Sequence, residues 1–221
     1  MSVLIYRDAK TVGACAATMI ASHLLQDPKC VIGVDYHENL LPAYESLSNM
    51  TENGLLNWSD ADIYQLFEFI ADETGDQRIA NLLGKALFAK TDISDSQYHV
   101  PFADEEHAAE TADAFETDIL NHGGLDAALI AVRQDGSLLM CHSADDDPYT
   151  HEVSGDGNGF LTVGIASLMQ TKHPIIVAVG SGCADAVKTM LHGSLSDSPL
   201  AALKLHPYAT FILDEEAAVM L

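Results

Sequence analysis

Basic residues are scarce in this chain. Ten Lys and Arg stand against 33 Asp and Glu in 221 residues, which gives a formal net charge of -23. A surface with this charge repels a phosphate backbone and an anionic membrane, so nucleic acid and membrane surfaces are excluded as partners. A small anionic ligand is not excluded, because one local cluster of donors can hold it without help from the overall field.

Cysteine is also scarce and shows no spacing typical of metal or redox sites. The four cysteines, Cys15, Cys30, Cys141 and Cys183, are far apart and form no CxxC pair. This pattern is typical of small buried residues in a reducing compartment. No apolar run approaches the roughly 20 residues of a membrane span, and no charged-then-apolar signal opens the chain. We therefore expect a cytoplasmic protein.

Short apolar strands alternate with longer helical patterns. Strands are predicted at residues 3–6, 30–34, 61–66, 127–132, 175–179 and 210–213, and helices at 11–25, 41–48, 79–89 and 105–121. The alternation predicts an α/β fold with a largely parallel sheet. Residues 138–141 are predicted as a short strand or helix, and 143–159, rich in Asp, Gly and Ser, as an irregular loop.

No internal repeat, low-complexity tract or Pro-rich linker interrupts this pattern, so a single domain is predicted over residues 1–221. In parallel sheets of this type, ligands bind beyond the carboxyl ends of the strands. Four corners therefore matter most, at residues 34–39, 66–68, 133–142 and 180–183.

The last sixty or so residues carry a resemblance to a known family. Residues 162–169 are followed by the apolar run 175–179, then Gly180-Ser181-Gly182, and later by 203–207 and 214–218. This order resembles the C-terminal part of the glucosamine-6-phosphate deaminase/isomerase family, whose superfamily includes the 6-phosphogluconolactonases. The resemblance implies a doubly wound, mostly parallel sheet with helices on both faces, in a Rossmann-like three-layer arrangement. It also implies isomerisation and deamination of an amino-sugar 6-phosphate without a cofactor.

The first corner departs from the family. The family has a Gly- and Thr-rich turn here, whose backbone N–H groups cradle the sugar phosphate. Asp35 and Glu38 replace that turn with carboxylates, which repel phosphate. Asp35, His37 and Glu38 are also compatible with a hard-metal site, but a solvated loop is expected and no metal is predicted. His37 is a candidate substrate-binding residue.

The second corner, residues 58–69, resembles a family stretch in which Trp-Ser leads to Asn-Leu-Asp-Glu-Tyr. On that register Phe67 takes the position of the carboxylate that moves the sugar C2 proton. An aromatic ring cannot accept a proton, so this general-base chemistry is lost. Glu68 is kept, and a slip of one residue would bring it toward the catalytic role. The alternative is that Glu68 begins a helix and faces solvent.

The third corner keeps part of a family pattern that reads Asp-Gly-His followed by Asn-Glu. Asp135-Gly136 is kept, whereas Ser137 replaces the His that opens the sugar ring and His142 replaces its Glu partner. Asp135 and His142 are candidate catalytic residues, and Ser137 is a candidate substrate-binding residue. Because Asp-Gly is the commonest tight-turn dipeptide, a purely structural role for Asp135 is the alternative.

At the fourth corner the family has a Lys, at the position of Cys183, that reaches the substrate phosphate. Gly180 and Ser181 are candidate substrate-binding residues. Arg133 lies at a turn that the family keeps rich in glycine. It is a candidate replacement cation, since Arg binds phosphate with two parallel hydrogen bonds. The alternative is a surface Arg that pairs with one of the many acids.

These departures leave three functional hypotheses. We prefer an isomerase/deaminase-like protein of amino-sugar metabolism, related to enzymes of glucosamine- or galactosamine-6-phosphate, whose parent catalysis is altered or lost. A non-catalytic sugar-binding or regulatory protein is the second. The third is a hydrolase or isomerase of different specificity that uses Asp135, His142 and Glu68. The expected partner is a small sugar or sugar phosphate, no cofactor is expected, and homo-oligomerisation is left open.

Overall fold

A computed structural model describes residues 1–70, 78–141, 149–153, 159–194 and 198–221. Its main sheet has seven strands in the spatial order β1-β10-β9-β6-β2-β3-β5, all paired in parallel. These strands are β1 (Ser2–Tyr6), β2 (Val31–Val34), β3 (Asp62–Gln65), β5 (Tyr98–His99), β6 (Ala127–Ala131), β9 (His173–Ala178) and β10 (Thr210–Asp214). The predicted α/β fold with a mostly parallel sheet is confirmed.

Seven helices connect the strands within the described ranges. They are α1 (Ala9–Gln26), α2 (Leu41–Glu52), α3 (Ile79–Ala86), α4 (Ala108–Asn121), α5 (Ile165–Gln170), α6 (Ala184–His192) and α7 (Pro199–Leu203). Asp8 caps α1 by accepting a hydrogen bond from the Thr11 N–H at 2.8 Å. Where α1 meets α2, a Cβ at Gly13 would lie 2.5 Å from Pro42 Cβ, so this close approach requires glycine.

A second, antiparallel sheet was not predicted. It contains β4 (Phe67–Ile70), β8 (Gly159–Thr162) and β7 (His151–Val153), in the order β4-β8-β7. The prediction of an irregular loop over 143–159 is therefore wrong at β7, while residues 142–148 and 154–158 lie outside the described part of the chain. These strands have three or four residues each, too few for a local periodic signal, and β4 pairs with β8 across more than 80 positions.

Two further segments differ from the prediction. Helix α4 begins at Ala108, three positions after the predicted start at 105. The Asp104 side chain instead accepts from the His107 N–H at 2.9 Å and forms a turn before the helix. Residues 138–141 form a tight turn with Leu139 at a φ of 53°, neither a regular strand nor a helix.

The sheet order brings the four predicted corners together. Strands β9, β6, β2 and β3 are consecutive in the sheet, so Val179, Val132, Val34 and Leu66 lie at adjacent carboxyl ends. Among the described residues, no helix is long and apolar enough to cross a membrane.

Candidate functional site

Asp35 lies at the centre of the carboxyl edge, directly after β2. Its backbone N–H donates to the Leu129 carbonyl at 3.0 Å, which extends the pairing with β6. Its side chain is completely buried, and one carboxylate oxygen accepts from the Ala131 N–H at 2.9 Å. The expectation of a solvated loop is therefore wrong at Asp35, because hydrogen bonds to the neighbouring strand compensate for the lost hydration of the carboxylate. Glu38 is exposed, as expected.

Arg133, at the end of β6, neutralises Asp35. Nη2 donates to Asp35 Oδ1 at 3.0 Å and Nη1 donates to Oδ2 at 3.3 Å. The guanidinium carbon also lies 5.3 Å from the centroid of the Phe67 ring, within the range of a cation–π contact. Arg133 does pair with an acid, but its side chain is only 13% exposed, so the predicted surface pair is in fact a buried one.

This pair changes what the centre of the edge offers to a ligand. A bidentate Arg–carboxylate pair uses the guanidinium geometry that a phosphate would need. Phe67, which occupies the family's C2-base position by resemblance, is 2% exposed and lies against Arg133. The centre therefore holds a neutral ion pair and an aromatic ring, not a free cation beside a general base.

His37 lies beside this pair and caps the 3₁₀ turn Glu38–Leu40. Its Nδ1 accepts from the Asn39 N–H at 3.2 Å. Burial lowers the pKa of His37, and the positive charge of Arg133 lowers this pKa further, against the opposing effects of Asp35 and Glu38. The imidazole is therefore neutral near pH 7 and offers one polar nitrogen, not a positive charge, to a ligand.

Glu68 is completely buried. Its Oε1 accepts from the N–H groups of Phe69 at 2.8 Å and Ile79 at 3.2 Å, and its Oε2 accepts from the Ala80 N–H at 2.9 Å. Gln65 Nε2 donates to the same Oε2 at 3.1 Å. Because Ile79 and Ala80 begin α3, the carboxylate caps the positive end of this helix. The alternative of a solvent-facing residue is wrong, and a catalytic role for Glu68 stays a prediction.

Asp135 and Ser137 form a tight turn after β6. Asp135 Oδ1 accepts from the Ser137 N–H at 2.9 Å and from its hydroxyl at 2.7 Å. Gly136, with a φ of 81°, supplies the left-handed backbone conformation of the turn. The geometry gives Asp135 the structural role named as its alternative, and the Ser137 hydroxyl is buried and directed at Asp135. His142 lies outside the described residues, so its pairing with Asp135 stays a prediction.

A small cleft of about 170 Å³ opens beside this turn. Its lining consists of Gln134, Asp135, Gly136, Asp185, Ala186, Thr189 and Ser198. The two acidic residues in this lining, at positions 135 and 185, favour a cationic or neutral ligand over a phosphate.

At the fourth corner, a carboxylate of the protein itself accepts the hydrogen bond that an anionic ligand would need. The Gly180 N–H donates to both oxygens of Asp214, at 3.0 Å each, and the φ of Gly180 is 84°. Ser181 begins the 3₁₀ turn Ser181–Cys183. Cys183, at the family's Lys position, is buried, and its Sγ donates to the Val132 carbonyl at 3.5 Å. A backbone donor suited to an anionic ligand is thus already satisfied by Asp214.

Asp214 was not among the predicted site residues. Asp35 and Asp214 both directly follow buried, mainly apolar runs, at 31–34 and 211–213. An acidic residue at the end of such a run is a signal that sequence reasoning can use, because a parallel neighbour supplies backbone donors at that position.

The comparisons with known proteins agree with this fold. No family model matches the chain. A glucosamine-6-phosphate deaminase of Streptomyces coelicolor is 27% identical over 239 aligned positions, which cover 99% of this chain and 92% of the relative. A glucosamine-6-phosphate deaminase of Pseudoalteromonas translucida is 27% identical, with 100% and 90% covered.

Solved structures extend the comparison. A monomeric glucosamine-6-phosphate deaminase, described as a missing link of the NagB superfamily, superposes with a TM-score of 0.93 at 20% identity over 100% of both chains. The 6-phosphogluconolactonase of Trypanosoma brucei superposes with a TM-score of 0.81 at 16% identity, over 100% and 98%. The fold is therefore the one shared by these deaminases and lactonases. Within that class, the sequence is similar over its full length to glucosamine-6-phosphate deaminases, as its resemblance predicted.

Proposed function

We propose that this is an isomerase/deaminase-like protein of amino-sugar metabolism, that its ligand is a small sugar or sugar phosphate, and that the parent catalysis is altered or lost. The full-length likeness to glucosamine-6-phosphate deaminases supports the ligand class. The observation that carries the altered chemistry is the buried Asp35–Arg133 pair packed against Phe67.

Two acid/base positions of the resemblance lack a titratable group suited to their task. Phe67 cannot accept a proton, and the Ser137 hydroxyl is buried and already donates to Asp135 at 2.7 Å. Removing one general acid or base typically costs about 10²–10⁴-fold in rate. Because such groups act as a unit, the two losses need not multiply.

Phosphate binding is disfavoured by the same arrangement. Arg133 is the cation that the sequence offers at the central strand ends, and Asp35 already engages it at 3.0 and 3.3 Å. A phosphate would have to compete with this carboxylate while facing the exposed Glu38. We therefore expect sugar phosphates to bind weakly.

Non-catalytic sugar binding is the second candidate function. The cleft lined by Asp135 and Asp185 favours it, because an amino sugar without a phosphate carries an ammonium group that two carboxylates attract. The third hypothesis, a hydrolase that uses Asp135, His142 and Glu68, would require the carboxylate of Glu68 to leave the donors that now hold it.

The test combines turnover with binding. Ammonia release from glucosamine-6-phosphate is measured for the purified protein, with the Streptomyces coelicolor relative as the active control. The expected rate is at least roughly 10²-fold below the control. Efficient, saturable ammonia release would refute the loss of parent catalysis.

Calorimetric titration then separates the ligand hypotheses. The ligands are glucosamine-6-phosphate, galactosamine-6-phosphate, 6-phosphogluconate and unphosphorylated glucosamine. We expect the three phosphorylated ligands to bind weakly or not at all. Micromolar binding of any of them, abolished by Arg133→Ala, would show a rebuilt phosphate site. Stabilisation by glucosamine without turnover would instead select the sugar-binding candidate.

A further inference from the structure

A second group of polar side chains lies at the far edge of the main sheet, where β3, β5 and α4 meet. We call it the edge cluster: Asp62 and Tyr64 on β3, His99 on β5, and Asp118 and His122 at the end of α4. Strand β5 is the last strand of the sheet, and β2 and β3 separate it from β6 and Arg133. The edge cluster is therefore distinct from the carboxyl-edge site.

We propose that the edge cluster binds a divalent transition-metal ion of the Zn²⁺ class through Asp62, His99 and His122. One ligand atom from each of these residues lies within 4.8 Å of the other two. Ligands of a tetrahedral Zn²⁺, at about 2.0–2.2 Å from the ion, lie roughly 3.4 Å apart. Small side-chain rotations therefore close the site. Two imidazoles and one carboxylate form a donor set suited to zinc and its neighbours, not to Mg²⁺ or Ca²⁺.

The contacts of His99 fit the role of a metal ligand. Its Nε2 lies 3.2 Å from Asp62 Oδ1, and its Nδ1 lies 3.2 Å from Asp118 Oδ2. A metal ion held by Nε2 and Asp62 leaves the Nδ1–H of His99 to donate to Asp118. Ligating histidines almost always make such a hydrogen bond through the second nitrogen.

His122 has a similar outer partner. Its Nδ1 lies 2.9 Å from the Asp118 carbonyl oxygen and 2.8 Å from the Tyr64 hydroxyl. An N–H at Nδ1 would donate to these oxygens and leave Nε2 for the ion. Asp118 thus supports both histidines, through its carboxylate and its backbone carbonyl.

Tyr64 fixes the orientation of this support. Its hydroxyl donates to Asp118 Oδ2 at 2.7 Å, and its ring stacks on His99 with a centroid distance of 4.2 Å and an angle of 4°. Tyr64 is completely buried, so its position is set by the core.

The three ligand side chains are also within reach of solvent. Asp62 is 28% exposed, His99 22% and His122 36%. An ion can therefore reach the site from water and keep a water molecule as a further ligand. Bound there, it would tie the two-residue strand β5 and the end of α4 to β3, at a sheet edge that is otherwise held by few ladder hydrogen bonds.

The test uses the full-length protein after EDTA treatment and gel filtration. Zn²⁺ is titrated calorimetrically, and Co²⁺ is titrated as an optical probe whose visible absorption reports coordination geometry. We expect one Zn²⁺ per chain and a Co²⁺ band in wild type. His99→Ala and His122→Ala should each remove the band and weaken Zn²⁺ binding by more than 100-fold. His107→Ala, at an exposed histidine bound to Asp104 at 2.8 Å, is the matched control and should leave both unchanged.

Asp118→Asn tests the supporting residue. Loss of an outer partner should weaken Zn²⁺ binding by about 10–100-fold and shift the Co²⁺ band without abolishing it. Circular dichroism checks the folding of every variant, and His99→Gln replaces His99→Ala if the latter unfolds. Zn²⁺ binding that is unchanged in both histidine variants, or displaced by millimolar Mg²⁺, would overturn the proposal, because it would show attraction to surface carboxylates alone. Absence of a stoichiometric Zn²⁺ site in wild type would overturn it as well.

Discussion

The centre of the carboxyl edge and the edge cluster contain similar chemical groups in opposite circumstances. At the centre, Asp35 is fully buried, and its carboxylate is shared between a guanidinium and a backbone N–H. At the edge cluster, His99 and Asp62 are partly exposed, and His99 lies 3.2 Å from each of two carboxylates. Burial obliges polar groups to satisfy one another, whereas partial exposure leaves groups that a ligand can complete. A place at a strand end therefore does not by itself make a binding site.

The largest expected effect tests how strongly the centre depends on its internal pair. Asp35→Ala would leave the guanidinium of Arg133 buried without its carboxylate. Breaking a buried ion pair from one side typically costs about 3–5 kcal/mol. We expect a loss of that size in the free energy of unfolding, measured by urea denaturation.

A double variant and a surface pair serve as controls for that measurement. Asp35→Leu with Arg133→Met should cost less than either single change, because no charge remains buried. Lys172→Ala breaks the pair with Asp126, in which Lys172 is 58% exposed, and should cost about 0–1 kcal/mol. A loss below about 1 kcal/mol for Asp35→Ala would show that the pair is not what holds the centre together.

Glu68 gives the next largest effect. Glu68→Ala removes the acceptor for three backbone N–H groups and for Gln65, and it leaves the start of α3 without its cap. We expect a loss of roughly 2–3 kcal/mol in the free energy of unfolding. If Glu68 has only this structural role, the Glu68→Ala variant should keep any turnover that wild type shows, at temperatures where the variant is folded. Full stability together with lost turnover would instead support the catalytic role that the sequence suggests.

Much of the main sheet could be predicted because its strands are local signals. The apolar runs that became β6 and β9 are fully or almost fully buried, and the observed strands lie within a few residues of the predicted ones. The antiparallel sheet could not be predicted in this way. Its three strands have three or four residues each, and β4 comes from a part of the chain distant from β7 and β8.

The site was less predictable, for a related reason. Asp35 was recognised as a departure from the resemblance, but its partner Arg133 lies 98 positions away. Local sequence therefore suggested a solvated residue where the fold builds a buried pair. Asp62, His99 and His122 form no sequence motif, and only the meeting of β3, β5 and α4 brings them together.

The pH dependence of stability tests the centre of the carboxyl edge through a smaller expected effect. Burial lowers the pKa of His37 from its ordinary value of 6.5, and Arg133 lowers it further. At a pH between the folded and unfolded pKa values of His37, the unfolded chain binds more protons than the folded one. The free energy of unfolding therefore falls as the pH drops below about 6.5, and the loss is complete once the pH is below the folded pKa. We expect the difference in Tm between wild type and His37→Asn to change between pH 7.5 and 5.5, with wild type losing more stability.

His107→Asn is the control for that pH series. The hydrogen bond that the His107 imidazole donates to Asp104 raises the pKa of His107. His107 therefore contributes to stability below its unfolded pKa, and this contribution is lost as the pH rises through its folded pKa. The sign of this pH dependence is opposite to that of His37. Equal pH slopes for wild type and His37→Asn would contradict the burial of a neutral imidazole at position 37.

The smallest expected effect belongs to the edge cluster without metal. In EDTA at pH 8, Asp62→Asn removes a partly exposed carboxylate 3.2 Å from His99, and a pair of this kind contributes about 0–1 kcal/mol. Added Zn²⁺ should separate the two proteins, because an ion that binds only the folded state stabilises it in proportion to the logarithm of its concentration over its Kd. Wild type should therefore gain Tm with increasing Zn²⁺, while Asp62→Asn gains little. A large loss for Asp62→Asn in EDTA would mean that the edge cluster is held together by its own charges, as the centre is, and that the contrast between the two regions fails.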